Sequence, residues 1–445
     1  MKLGLDRFRA MLRDLDHPER RLATVLVAGT NGKGSVAAIL ARLLEATGYR
    51  TGLSTSPHLL GYRERVRVDG RAIDRTGVAR CMRELAPVLE RHGGSFFEAM
   101  TGLALVHFVR QAVDIAVFEV GLGGRLDATN VGRPEVSVVV GIALDHTRIL
   151  GPTIERIACE KVAIARRGRP LVIGARGRAR AVLEREARAR GARPLTLGRD
   201  AHYRTLEVGT DGSELTYSGR HLGHVRARLA LPGRHQVRNA AVALLAAECL
   251  VARGWQLGNV ERALATVRWP GRLEYLPRTD RARGTGLDGG QRPALLLDGA
   301  HNPDGARALA RYLDEVYRDG GQAGSRLAVH RHRNGPGRRR NGHGQRRIVA
   351  VVGMLERSDL RRFLGDLRPL VDDWVLTRPP GERGMNPVDV ATALDRPALI
   401  EPDVARALAR AERRAGPEGL VCVCGSLRTI GAAMRARGRR RIERL

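Results

Sequence analysis

The chain has 445 residues, too many for one compact core and enough for two or three domains at roughly 100–200 residues each. Its apolar runs stay well short of the roughly 20 residues that span a bilayer, and the charged, amphipathic stretch 1–13 is unlike a signal peptide. A soluble, cytoplasmic protein with no membrane partner is expected, and the formal net charge of +30 would ordinarily add nucleic acid as a partner.

In chain order, residues 23–28 read as a buried strand, 29–34 as a glycine-rich turn, and 35–47 as a helix with apolar residues at 36, 39, 40, 43 and 44. Helical patterns at 76–91, 96–111 and 154–165 separate strands expected at 114–120, 136–142 and 170–173. That alternation implies right-handed βαβ units and an α/β fold with a mostly parallel sheet. Between 203 and 231 the pattern changes to short alternating strands, a small antiparallel patch, and 235–252 returns as a long helix. Pro, Gly and Arg take over after Trp269–Glu274, which places a boundary near 276 and divides the chain into domains 1–276 and 277–445. Beyond it a Rossmann-like α/β series follows: strands at 294–297, 348–352, 374–377 and 420–424, with helices at 303–317 and 426–437.

Lysine occurs only at Lys2, Lys33 and Lys161, so nearly all the basic charge is arginine, which reads as a chain-wide bias and not as a nucleic-acid patch. Much of the excess falls in two low-complexity stretches, 278–292 and 325–347, which are expected to be flexible surface loops. No nucleic-acid partner is expected. Cys81, Cys159, Cys249, Cys422 and Cys424 are scattered and lack C-x-x-C spacing, which argues against a disulfide framework or structural zinc.

The strongest chemical signal is Gly29-Thr30-Asn31-Gly32-Lys33-Gly34-Ser35. Backbone N–H groups of such a turn, followed by a helix N-terminus, make a phosphate cradle that Lys33 completes. Val27 stands where the general P-loop pattern has its first glycine, and Gly34 replaces the usual metal-binding hydroxyl, leaving Ser35 as a contributor. Glu119 ends a hydrophobic strand, where open parallel sheets place ligands, and a carboxylate there suits Mg²⁺. His146 follows the next strand at the same edge, although a lone histidine is more often structural. Where arginine serves for plain positive charge, a surviving lysine such as Lys161 marks a need for a compact or deprotonatable amine.

The glycine loop, Thr55-Ser56-Pro57-His58-Leu59, and above all Phe118-Glu119-Val120-Gly121-Leu122-Gly123-Gly124-Arg125-Leu126-Asp127-Ala128-Thr129-Asn130 resemble the Mur-ligase superfamily in its folylpolyglutamate synthase and dihydrofolate synthase branch, of the bifunctional bacterial type. The resemblance implies an ATP-dependent ligase with two Mg²⁺ ions held with Ser56, Glu119 and His146, and a carbamylated Lys161. It further implies that Asn239 reaches the adenine, that Arg272 holds terminal phosphate oxygens, and that Asp298 and His301 face the nucleotide across a cleft. The substrates implied are dihydropteroate or folates, L-glutamate and ATP, joined through an acyl phosphate by a monomer. Glu98, Arg125 and Asp127 carry groups that could contact substrate.

Two departures stand out. Gly353-Met354-Leu355-Glu356-Arg357-Ser358-Asp359 replaces the family's Asp-Lys-Asp run, and, set against the resemblance, the helix that commonly precedes the Leu3–Arg7 segment is expected to be missing. Two rivals stay open: another amino-acid ligase of the superfamily, and an Arg-rich nucleic-acid-binding P-loop ATPase.

Overall fold

The computed structural model describes residues 4–280, 291–318, 346–356 and 359–445. Most of both low-complexity stretches, 281–290 and 325–345, therefore lies outside the described residues, as do Arg357 and Ser358.

The first sheet has eight strands: β1 (Ala23–Ala28), β2 (Thr51–Ser54), β3 (Val66–Val68), β4 (Arg71–Ala72), β5 (Ile115–Glu119), β6 (Val136–Val139), β7 (Pro170–Ile173) and β8 (Arg193–Thr196). Their order is β4-β3-β2-β5-β1-β6-β7-β8, parallel from β2 to β8, with β3 and β4 added antiparallel at one edge. Alternation along β1 explains why it sits in the middle: Val25 and Val27 face one layer of helices, Leu26 and Ala28 the other. The first layer is built from helices Lys33–Thr47 and Arg234–Val251, the second from Asp6–Asp14, Arg75–His92, Phe96–Arg110, Ile154–Val162 and Gly177–Ala189. A three-stranded antiparallel sheet, β9 (His202–Val208), β10 (Ser213–Gly219) and β11 (Gly223–Leu229), packs Leu215, Tyr217 and Leu229 into the first layer.

β12 (Glu274–Leu276) opens a second sheet, and a two-stranded ribbon, β13 (Thr279–Asp280) with β14 (Gln291–Arg292), follows it. The remaining strands are β15 (Ala294–Leu297), β16 (Ile348–Val352), β17 (Asp373–Leu376), β18 (Leu399–Ile400) and β19 (Leu420–Cys424). The order is β12-β15-β19-β16-β17-β18, parallel except for β12. Helices cover both faces, Pro303–Leu313 and Leu360–Leu367 on one, Val404–Ala415 and Leu427–Ala436 on the other.

Several expected boundaries move, for physical reasons. β6 stops at Val139 because its neighbour β1 ends at Ala28: Val140 makes a last bond to the Ala28 carbonyl, and Gly141 then accepts from Thr30 of the glycine loop. The helix expected over 303–317 is α-helical only to Leu313 and widens into a π-turn over Asp314–Arg318. The five-residue spacing of a π-turn sets Tyr317 edge-on to Tyr312, ring centroids 6.0 Å apart and planes at 76°. The chain's last residues return to the first sheet, where Glu443 accepts from the Ala72 amide and Leu445 donates to Gly70. Among the described residues no helix is long and apolar enough to cross a membrane.

Candidate active site

The glycine loop leaves the C-terminal end of β1 and is fixed from below. Thr30 donates its amide to the Gly141 carbonyl at 2.8 Å, and its hydroxyl contacts both the carbonyl and the amide of Ala143 at 3.1 Å. Gly32 takes a left-handed φ of +84°, and a Cβ there would lie 2.5 Å from Asn239 Oδ1. A Cβ on Gly34 would lie 2.8 Å from the Trp269 ring. Both positions need glycine because helix 234–251 and the junction before β12 press against the loop. Lys33 begins the next helix and donates Nζ to the Thr30 carbonyl at 3.2 Å. Ser35 Oγ is buried with no hydrogen-bond partner, an unmet polar group beside the anion cradle.

Glu119 closes β5 at the same edge and is 7% exposed. Burial pushes its carboxyl above the usual range, opposed by the Lys33 charge, the Ser56 amide, Arg272 and Arg65. Ser56 reaches it through the backbone, its N–H donating to Glu119 Oε2 at 2.9 Å. His146 lies at φ +50° in the turn after β6, its side chain 47% exposed and its Nε2 3.9 Å from Asp145 Oδ1. Among the described residues no three His, Cys, Asp or Glu side chains form a preformed cation cage. Mg²⁺ does not require one, since it is commonly held by one or two carboxylates, water and substrate phosphates. A buried carboxylate, a histidine and an unsatisfied serine hydroxyl at one edge fit such an ion.

Lys161 is 5% exposed near the end of helix Ile154–Val162. Burial lowers its pKa to about 7, reinforced by Lys33 and opposed by Asp145, Asp127 and Glu160. The Gly121–Asn130 loop lies against this helix end, with the Arg125 amide on the Glu160 carbonyl at 3.0 Å. Asp127 is turned inward, accepting from Thr129 Oγ1 at 2.6 Å and from the Leu122 and Thr129 amides. Glu98 is likewise engaged, capping its own helix through Ser95 and pairing with Arg7 at 2.6 Å. Arg125 pairs with Glu160 at 3.0 Å.

The second sheet supplies the opposing wall. Asp298 follows β15, and its two oxygens accept from the Leu273 and Ala300 amides, each at 2.9 Å, so it pins the segment that carries Arg272. The Arg272 guanidinium bonds the Gly271 carbonyl at 3.2 Å and lies against Gly299. His301 holds the Gly299 carbonyl through Nδ1 at 2.7 Å, with Nε2 3.8 Å from Asp145 Oδ2. Asn239 donates to Gln236 Oε1 at 3.0 Å and lies buried beneath Gly32.

Sequence reasoning missed Asn302. Its amide exchanges hydrogen bonds with Asn31 of the glycine loop and also donates to Asp145 at 3.2 Å. The only sequence signal, Asn before Pro, announces a helix cap, and Asn302 does cap helix Pro303–Leu313 through the Gly305 amide.

Residues 27–247 match the Mur ligase middle domain, and 337–427 match the Mur ligase glutamate ligase domain. A Mycobacterium tuberculosis dihydrofolate synthase/folylpolyglutamate synthase is 32% identical, covering 98% of this chain and 90% of that protein. The chain belongs to the dihydrofolate synthase/folylpolyglutamate synthase family of Mur ligases.

This Mur ligase is also 34% identical to a probable bifunctional folylpolyglutamate synthase/dihydropteroate synthase of Haloferax volcanii, but spans only 48% of that longer protein. Among solved structures, Escherichia coli FolC in complex with DHPP and ADP superposes with a TM-score of 0.79 at 30% identity, over 99% of this chain and 94% of that one. A bifunctional folylpolyglutamate synthase/dihydrofolate synthase with Mn, AMPPNP and L-glutamate bound gives the same TM-score and identity, over 98% and 95%. As a member of this Mur-ligase family, the protein is an ATP-dependent ligase, and its glycine loop meets the second-sheet wall at the Asn31–Asn302 contact.

Proposed function

We propose that the protein joins L-glutamate to both dihydropteroate and reduced folates, using ATP. The observation that carries this reading is the convergence of Lys33, Glu119 and Lys161 at one sheet edge, opposite Arg272 and Asn302 from the second sheet. Relatives named for both activities, and structures holding ADP, DHPP, AMPPNP or L-glutamate, support it.

A carboxylate cannot form an amide readily at neutral pH, so it first needs a leaving group. The substrate carboxylate attacks the γ-phosphorus of ATP, giving an acyl phosphate and ADP. The glutamate amine then attacks the acyl carbon, forming the amide, losing a proton and releasing phosphate. The loop amides of Gly29–Ser35 and Lys33 hold the nucleotide phosphates, and Arg272 offsets charge on the transferred group. Mg²⁺, as two ions, would be held with Glu119, His146 and Ser56, and would neutralise phosphate charge. Asn239 and Asp298 border the nucleotide, and His301 orients groups at the cleft.

Lys161 is read as the carbamylated lysine. Carbamate formation requires a neutral amine, and a pKa near 7 leaves much of Lys161 neutral at physiological pH. The carbamate would place a carboxylate-like group beside the metal site. We further read the protein as a cytoplasmic monomer of two domains, 1–276 and 277–445, with no nucleic-acid partner.

The test is ATP-dependent incorporation of labelled glutamate, with dihydropteroate and tetrahydrofolate offered separately in the presence of Mg²⁺ and bicarbonate. Incorporation into both is expected. Incorporation into one assigns the narrower activity, and into neither, with ATP still bound, refutes the reading.

A further inference from the structure

We propose that the chain carries a second ligand site, at the rim of the first sheet opposite the reaction edge, suited to a nucleotide-sized anion bearing several phosphate charges. The site is a cavity of about 760 Å³, within the usual size for small-molecule pockets. Its walls come from residues that precede parallel strands: Leu22 before β1, Val131–Arg133 before β6, and Arg166–Arg167 before β7. Lys33 and Glu119 lie at the opposite, C-terminal ends of β1 and β5, so a ligand here cannot touch the reaction centre. Helix Asp6–Asp14 and the 3₁₀ turn Pro18–Arg20 close the remaining side.

The charge of this cavity is lopsided. Arg9, Arg13, Arg20, Arg133, Arg166 and Arg167 line it against one lining carboxylate, Glu19, which His17 at 2.9 Å and Arg20 at 3.6 Å already hold; Arg9 pairs with Asp6, outside the lining, at 3.7 Å. Among the described residues the side chains of Arg13, Arg133 and Arg167 make no ion pair or hydrogen bond. Arg166 gives its donors to the Gly132, Ala163 and Asn130 oxygens, none of them charged. An arginine-rich composition does not by itself produce this: nearby, Arg169 and Arg253 converge on Glu135, at 2.7 and 2.5 Å. Here the guanidiniums line a hollow with too few carboxylates to neutralise them, and an anion bound there would gain from all of them at once. Guanidinium forks match phosphate oxygens bidentately. Leu12, Leu22 and Val131 supply an apolar wall for an organic group attached to the phosphates.

Calorimetric titration of the full chain with Mg²⁺·AMPPNP, and separately with inorganic triphosphate, tests this. Wild type should take up two equivalents of AMPPNP. The variant Arg13→Ser/Arg133→Ser/Arg167→Ser should lose one of them, its affinity falling roughly tenfold or more, while Lys33→Ala loses the other. The lost equivalent should weaken as salt rises, and glutamate incorporation by the triple variant should be unchanged. Triphosphate binding as tightly as AMPPNP at this site assigns recognition to the phosphates alone; weaker binding adds the apolar wall. A single equivalent in wild type, or a second equivalent that survives the triple substitution, overturns the proposal. So does a single-stranded RNA oligonucleotide that binds there far more tightly than either probe.

Discussion

The side-chain amides of Asn31 and Asn302 hydrogen-bond each other reciprocally, at 3.1 and 3.0 Å, although the residues stand 271 positions apart. Asn31 belongs to the glycine loop and Asn302 to the segment after β15, so this pair ties the phosphate cradle to the second sheet. Replacing Asn302 by Ser keeps an N-cap oxygen but removes the exchange. Asn302→Ser should lower kcat/KM for ATP by about tenfold, the loss of one to two hydrogen bonds, while thermal unfolding moves little. Equal activity with and without the amide would mean that the two sheets are held in register by other contacts.

Lys33→Ala should reduce glutamate incorporation by roughly a thousandfold or more, because a preorganised charge at a transferring phosphoryl group has no substitute in water. Lys33→Arg should not restore it, since the compact ammonium donates to the Thr30 carbonyl as a point charge and a longer planar fork presents its donors in a different geometry. Circular dichroism should report an intact fold in both variants.

Lys161 predicts a dependence on pH and on CO₂. Its pKa, lowered to about 7 mainly by burial, means the amine is charged below that value and neutral above it. Activity should fall as pH drops below about 7, and removal of bicarbonate should lower it further. Intact-protein mass measurement should find one added CO₂ under bicarbonate, absent in Lys161→Met. The linkage has a definite sign. Between about 7 and the ordinary lysine value the unfolded chain binds the extra proton, so stability rises with pH, and below 7 the folded state bears the full penalty of a buried ammonium. Lys161→Met should therefore unfold at a higher temperature than wild type at pH 6, by roughly 2–4 °C for each kcal/mol recovered, with the gap closing as pH rises.

Arg67 is 2% exposed and donates to the Ile442, Glu443 and Gly70 carbonyls, joining the β3–β4 hairpin to the chain's last residues. Burial lowers its pKa to about 10, opposed by Glu64 and Glu45. Arg67→Met leaves those carbonyls without their donor and should cost on the order of 3 kcal/mol, read as a lower urea midpoint. An unchanged midpoint would show that water replaces the guanidinium there at no cost.

How much was legible in the sequence differs from element to element. β1, β5 and β19 are apolar runs broken only by Thr24 and by Glu119 at the end of β5, and such runs mean a strand buried on both faces wherever the rest of the chain lies. The hairpin β3–β4 carries Arg67 in its middle, which reads as solvent-facing charge until the C-terminal tail is seen to cover it. Helix Val404–Ala415 is hard to read from sequence for a related reason: its Arg-rich face hides an apolar stripe of Val404, Ala407, Leu408 and Ala411. At the site, Glu98 and Asp127 read as substrate-facing acids, yet their oxygens are occupied by Ser95 and Arg7 and by Thr129 and Leu122.

The sequence by itself determined the α/β class, the glycine loop and the position of Glu119 at a strand end, because these depend on local periodicity and on conformations that only glycine adopts cheaply. The tertiary structure alone decided the acidity of Lys161, the Asn31–Asn302 exchange, the main-chain duty of Asp298 and the arginine-lined hollow beneath β1. Those properties arise from burial and from distances between residues far apart in the chain, and neither quantity exists until the two sheets have packed.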